Sequence, residues 1–289
     1  IFNKTGIKQR GKSSEDITAG DLAILASEKL FKKTIITKNK IDFLIFVTQT
    51  PNQCLPSTSC EIHEAIGLNQ GCGALDVNQG CSGYIYGLNL ASSLIDSGSA
   101  KYVLLLTGDT YTKLMDSNDP SVVPLFGDGA SASIIGPETN TCNQSSIGKF
   151  EFGTDGSKAS YLNCDFGGFR KTQINWKKLY MNGPGIMSFT LEVVPKAIDN
   201  YLKKNHLTKD EIDLLILHQA NKFILDRLHN KTNFKEKGVI CLEDYGNTVS
   251  STIPIALVEN VFLKLKKNMK ILLVGYGVGL SWGITCIEV

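Results

Sequence analysis

The sequence has no excess of either charge: 30 Lys and Arg stand against 28 Asp and Glu, a net of +2 over 289 residues. A surface without a dominant sign carries no electrostatic footprint for nucleic acid or for an anionic membrane face. No charge-free apolar run of about 18 residues occurs, and no signal-peptide pattern, so the chain reads as soluble. Eight cysteines are present, yet no two form a CxxC pair. That excludes a zinc ribbon, and unpaired thiols fit a reducing compartment, the cytoplasm. Three Asn-x-Ser/Thr tripeptides, at Asn3, Asn143 and Asn230, read as chance matches in an Asn- and Lys-rich chain. The chain opens at Ile1 without a methionine or an obvious first strand, so further sequence is expected before it.

What is present is one supersecondary unit written twice. The stretch from Ile36 to Gln49 recurs from Leu207 to Ala220: Thr37, Lys38, Ile41, Asp42, Leu44 and Ile45 return as Thr208, Lys209, Ile212, Asp213, Leu215 and Ile216. Further on, the segment from Gln79 is echoed by that from Tyr245, with Gly80-Cys81 replaced by Gly246-Asn247. Self-similarity at this range predicts a duplicated fold rather than a short-period solenoid. The copies differ in chemistry. One offers a thiol at its turn, and the other an imidazole, His218, and a carboxamide, Asn247. A two-fold arrangement brings these into one cleft between an N-terminal half, residues 1–145, and a C-terminal half, residues 146–289.

Periodicity places the elements. Asp21–Lys33 reads as a helix with Leu22, Leu25, Ala26 and Leu30 on one face. Phe43–Thr48, Ala74–Asn78 and Tyr102–Thr107 read as buried strands, and Ser82–Ser97 as a helix rich in small residues that Gly98 ends. Pro56 starts a helix that Gly67 stops. Alternation of strand and helix predicts mainly parallel sheets. Thr110–Val123 reads as a loop, and Pro137–Lys149 as a surface connection between the halves. Beyond it come a helix over Ser188–Lys204 kinked at Pro195, a strand at Leu214–Leu217, and helices over Asn221–Asn230 and Ser250–Lys267. Strands at Ile271–Val274 and Trp282–Ile287 close the chain around a glycine turn.

Cys81 lies at a strand-to-helix turn between Gly80 and Gly83, a geometry that exposes a side chain to free backbone N–H groups. The positive helix end is expected to lower its pKa. The other seven cysteines read as structural. His218 follows an apolar strand, where active sites of parallel sheets gather; His63, His206 and His229 read as ordinary hydrogen-bonded residues. Asn247 suits a turn, but its alignment with Cys81 in the repeat favours a functional reading. The run Gly275-Tyr276-Gly277-Val278-Gly279 follows a strand, yet only ten residues remain after it, too few for a dinucleotide cradle. A backbone N–H offered to an oxyanion suits it better.

With these residues in place, the chain resembles the thiolase-fold condensing enzymes, and among them the β-ketoacyl-acyl-carrier-protein synthase III family. The resemblance rests on Lys4–Arg10, the segment around Cys81, Leu125–Ile135, the LHQAN around His218, the YGNTVSSTIP around Asn247, and Gly275–Gly283. It implies a duplicated αβαβα five-layer fold, a homodimer, and a Cys81–His218–Asn247 triad with the backbone N–H groups of Cys81 and Val278 as oxyanion hole. It implies acyl transfer to Cys81 and decarboxylative condensation with a malonyl thioester. The partner would be an acyl-carrier protein, with acyl-CoA as an alternative donor and no cofactor. Leu55, Phe126, Tyr276 and Gly277 would line the substrate pocket, and Lys222 and Arg227 would dock the carrier. Three departures stand out: Val278 replaces a usual glycine, Lys4 and Pro120 replace arginines that contact the CoA nucleotide, and Leu55 replaces a pocket-closing phenylalanine. Two readings compete: a same-fold acyltransferase acting on a non-malonyl acceptor, and a carrier-binding subunit without catalysis.

Overall fold

The computed structural model describes residues 2–137, 146–165, 167–169, 178–261 and 266–289. Cys142 and Asn143 lie outside them, as do most of the expected surface connection and part of the expected last helix.

Strands β1 (Phe43–Val47), β2 (Gly73–Val77), β3 (Val103–Asp109) and β4 (Gly129–Ile135) form one sheet in the order β2-β1-β3-β4. A second sheet contains β5 (Ser146–Thr154), and β6 (Leu162–Asn163) pairs separately with β7 (Tyr180–Met181). The second sheet is completed by β8 (Leu214–Leu217), β9 (Lys270–Gly277) and β10 (Ser281–Glu288), in the order β5-β10-β9-β8. Pairings β1–β2, β1–β3 and β8–β9 are parallel, while β3–β4, β9–β10 and β5–β10 are antiparallel. The sheets are therefore mixed, not mainly parallel: β4 runs against β3 at the edge of the first sheet, and in the second β10 runs against both β9 and β5.

Helices α1 (Phe2–Thr5), α2 (Ala19–Phe31), α3 (Thr58–Ile66), α4 (Gly83–Asp96), α5 (Gly183–Lys204), α6 (Lys222–Lys231) and α7 (Thr252–Ala256) cover these sheets. The period-two alternation of the strands sorts their side chains between layers. Leu44, Phe46, Leu104 and Leu106 face a core shared with α2 and α3. Ile45, Val47, Val103 and Leu105 face the opposite way, into a core with α4, α7 and the inner face of the second sheet, Ile216, Ile271 and Leu273. Leu215, Leu217, Leu272 and Val274 point outward against α5 and α6. The result is five layers, helix, sheet, helix, sheet, helix. The two copies read in the sequence occupy matching places: β1 and β8 open them, and Cys81 and Asn247 each precede a central helix.

Several sequence expectations are corrected. Helix α2 buries Ala19, Gly20, Ala23 and Ser27 rather than the face through Leu22, and Leu25 is exposed. The small residues let α2 lie close on the sheet, a preference that counting large apolar side chains misses. Ser146–Lys149 is not connection but the start of β5, whose polar residues pair through backbone with β10. Helix α5 begins five residues earlier than expected, capped by the Asn182 side chain. The helix expected over Ser250–Lys267 changes its winding: a 3₁₀ turn at Val249–Ser251, then α7, then a π turn at Leu257–Val261.

Candidate active site

The turn between β2 and α4 delivers Cys81 into an apolar cluster with Tyr111, Met115, Val122, Phe126, Leu162, Leu179 and Val249. The sulfur is buried, the residue being 5% exposed. The backbone N–H groups of Val278 and of Cys81 itself reach it and favour the thiolate. Gly277, at φ +154°, lies against Cys81 so closely that a Cβ there would sit 2.8 Å from Sγ. Only glycine lets the β9–β10 turn bring its N–H groups so near. Val278 leans the other way, its Cγ1 2.6 Å from where a Cβ on Gly80 would stand.

His218 stands at the end of β8, 2% exposed. Its Nδ1 is 2.7 Å from Thr252 Oγ1, and its ring meets Tyr276 edge-on at 5.5 Å. Asn247 is pinned to the first half by backbone: its N–H donates to Leu125 O at 2.8 Å, and its carbonyl accepts from Gly127 N at 3.0 Å. Its Oδ1 accepts from Val249 N at 3.0 Å, which turns the amide NH₂ away as a donor. Val249 ties the three together. Its side chain shares the cluster of Cys81, its N–H holds Asn247, and its carbonyl lies beside the His218 ring. It does so at φ +55°, a left-handed conformation that a β-branched residue rarely takes. Strain of this kind gathers at functional sites.

Burial sets the electrostatics. It pushes the Cys81 thiol up to about 12 against the two N–H groups that lower it, and the nearby Asp109 adds to the rise. The expected helix-end depression is thus outweighed, because a thiolate at this depth loses its hydration. Burial also pushes His218 down to about 3, so the ring is neutral at neutral pH. The site at rest holds a thiol, a neutral imidazole and a carboxamide, able to stabilise a charge that develops only during reaction.

Asp109, at the end of β3, is buried among neutral donors: Gln49 N–H at 2.8 Å, Ser250 N–H at 3.2 Å, and the Ser250 and Thr48 hydroxyls. Burial outweighs them and raises its pKa from 3.8 to about 7. The folded chain therefore holds this proton more tightly than the unfolded one, and stability declines as pH rises from 3.8 to about 7. Asp109→Asn should flatten that slope in urea unfolding measured across pH. It should also cost about 1–3 kcal/mol, since an NH₂ then faces donors. The pH midpoint of Cys81 alkylation should shift down, as the neighbouring negative charge is gone.

Of the predicted pocket residues, Phe126 and Gly277 lie at Cys81. Tyr276 does not: alternation along β9 turns it into the outer core, its hydroxyl donating to His218 O at 3.1 Å. Leu55 is 85% exposed and contributes nothing to this cluster within the chain. Lys222 pairs with Asp226 at 2.5 Å, and Arg227 stacks on Phe223 at 4.3 Å. Asp109 and Tyr111 carry no signal in the sequence, and Val249 and Thr252 lie within the YGNTVSSTIP segment without being marked there as site residues. Their roles depend on contacts between segments far apart in the chain, which no local pattern marks.

Residues 75–156 match the family described as 3-Oxoacyl-[acyl-carrier-protein (ACP)] synthase III, and residues 202–289 match its C-terminal part. A β-ketoacyl-[acyl-carrier-protein] synthase III of Natranaerobius thermophilus is 36% identical over an alignment covering 100% of this chain and 90% of that protein. The chain belongs to the 3-oxoacyl-[acyl-carrier-protein] synthase III family. A solved 3-oxoacyl-(acyl-carrier-protein) synthase III superimposes with a TM-score of 0.94 at 41% identity, covering 100% of this chain and 90% of that one. The priming β-ketosynthase of the R1128 polyketide biosynthetic pathway superimposes with a TM-score of 0.88 at 26% identity, covering 99% of this chain and 86% of that one. The five layers are those of the thiolase-like fold, and the protein is a synthase III-like condensing enzyme of the acyltransferase class.

Proposed function

We propose that Cys81 takes an acyl group from a thioester and that His218 and Asn247 then drive its condensation with malonyl-acyl-carrier protein. The observation that carries this reading is the convergence of the three side chains on Val249, with backbone N–H groups of Cys81 and Val278 at the sulfur. The Cys81 thiol attacks the thioester carbonyl, and the same N–H groups receive the oxyanion. On collapse the donor's C–S bond breaks, and its thiol leaves with the proton given up by Cys81. The malonyl thioester then presents its carbonyl oxygen to His218 and Asn247. Loss of carbon dioxide leaves an enolate whose charge these neutral donors meet as it forms. Its carbon attacks the acyl-Cys81 carbonyl, the C–S bond breaks, and a 3-oxoacyl carrier leaves. Carbon dioxide release from malonyl-carrier, together with a 3-oxoacyl product, tests this. Acylation of an acceptor without carbon dioxide would favour the acyltransferase reading instead.

The carrier would dock beside α6 through Lys222 and Arg227. Because Lys222 is already shared with Asp226, the patch acts mainly on encounter rate. Charge reversal at both should raise KM for malonyl-carrier several-fold and leave a small malonyl thioester unaffected; equal effects on both donors would remove the docking assignment. Leu55 and Phe169, 85% and 93% exposed, sit on loops that meet where Cys54 Sγ lies 3.9 Å from Gly167 O. This apolar patch supports a homodimer in which a second copy covers it. The division into halves at residues 145 and 146 follows the separation of the two sheets. A cytoplasmic setting agrees with the free cysteines, and no helix among the described residues is long and apolar enough to cross a membrane.

Lys4 and Pro120 are exposed and offer no guanidinium fork to a nucleotide, and Val278 adds a side chain over Gly80 at the edge of the Cys81 cluster. These features support a primer delivered on a carrier rather than acetyl-CoA, in a specialised pathway. Acylation rates from matched acyl-CoA and acyl-carrier donors decide it. Faster charging by the carrier is expected, and fast acetylation by micromolar acetyl-CoA would return the enzyme to bulk fatty-acid initiation.

A further inference from the structure

A neutral imidazole carries one ring proton, and the nitrogen that holds it decides whether the free side donates or accepts. In His218 the Nδ1 side is taken by Thr252 Oγ1 at 2.7 Å, so Nε2 is the nitrogen left for substrate. The Thr252 hydroxyl has one hydrogen and two places to send it: His218 Nδ1, or the carbonyl of Val249 at 3.2 Å. The first choice leaves the ring proton on Nε2. The second makes the hydroxyl an acceptor of Nδ1–H and leaves Nε2 bare. The contact to His218 Nδ1, at 2.7 Å, is much shorter than the one to the carbonyl, at 3.2 Å, so Nδ1 is the nearer acceptor for the hydroxyl hydrogen.

We infer that Thr252 is a positioning residue for condensation: its hydroxyl donates to His218 Nδ1 and holds the ring proton on Nε2, facing the enolate oxygen. The inference rests on the reading that His218 meets the malonyl carbonyl. In that step the electron pair of the breaking carbon–carbon bond passes to the thioester oxygen, carbon dioxide departs, and no proton leaves His218. The ring only has to present a hydrogen. Thr252 is 2% exposed, at the start of α7, and valine matches its shape. Without the hydroxyl, the Val249 carbonyl would remain as the polar neighbour of the ring, an acceptor that favours a ring N–H directed at it. The ring proton would be drawn to that side, and Nε2 would lose its donor.

The test compares wild type, Thr252→Val and Thr252→Ser in three readouts. These are decarboxylation of malonyl-carrier, single-turnover acylation of Cys81, and the ¹⁵N ring shifts of His218, which separate a protonated nitrogen from a bare one. Thr252→Val should lower kcat for decarboxylation by about tenfold or more with KM little changed, while acylation stays within about threefold. Its ring proton should move to Nδ1, and Thr252→Ser should restore both rate and tautomer. The inference is overturned by a wild-type ring protonated on Nδ1, which needs no variant to fold. It is equally overturned by a Thr252→Val enzyme that decarboxylates normally, or by equal loss of both half-reactions that serine does not repair. A wild-type enzyme that never decarboxylates malonyl-carrier condemns the proposed function instead, and the ring shifts still decide whether Thr252 sets the tautomer.

Discussion

Cys81→Ala should lower acyl-enzyme formation by roughly 10⁴-fold or more, the scale on which removal of a lone nucleophile falls. The loss should be chemical rather than structural. Alanine keeps the Cβ against which Gly277 packs and leaves only the volume of the sulfur empty. A void of that size costs roughly 1–2 kcal/mol. The protein should therefore unfold in the same cooperative manner, slightly earlier. Decarboxylation of malonyl-carrier should persist, because His218 and Asn247 remain in place. Intact-protein mass after incubation with an acyl thioester reads the first effect, and carbon dioxide release reads the second. A Cys81→Ala enzyme that still gains acyl mass would move the nucleophile elsewhere.

Asn247→Ala should divide the two half-reactions the other way. Condensation should fall by about 10²–10³, the usual effect of deleting one donor to a developing oxyanion, with Cys81 acylation within about threefold of wild type. The Asn247 amide is held by Val249 N–H, so its removal also leaves that buried donor unpaired, at about 1–3 kcal/mol of stability. Rates should accordingly be compared at a temperature where both proteins are folded. Equal losses in acylation and condensation would mean that Asn247 shapes the site as a whole and is not a donor reserved for the second step.

Much of this was legible because the sequence says it twice. Unbroken apolar runs in β1 and β8 mark strands buried on both faces, and the repeat aligns the turn of Cys81 with that of Asn247. What escaped reading has a common physical cause: the deciding partner is distant in the chain. The polar β5 is a strand only because β10 pairs with it, and α2 buries alanines only because the sheet beneath demands close approach. The thiol of Cys81 reads locally as activated by a helix end. The apolar cluster and Asp109, assembled from several segments, reverse the sign. The same holds for Thr252, an ordinary hydroxyl until folding sets it 2.7 Å from His218. Local pattern located the chemistry, and tertiary burial tuned it.

The division of labour between one thiol and two neutral donors is the central claim, and one sequential mass measurement tests it most directly. Wild-type enzyme incubated with an acyl thioester should gain a single acyl mass on the peptide containing Cys81. On addition of malonyl-carrier that mass should disappear, with one carbon dioxide and one 3-oxoacyl-carrier formed for each acyl group lost. An acyl mass on another residue, or an acyl-Cys81 that malonyl-carrier leaves undischarged, would contradict the account.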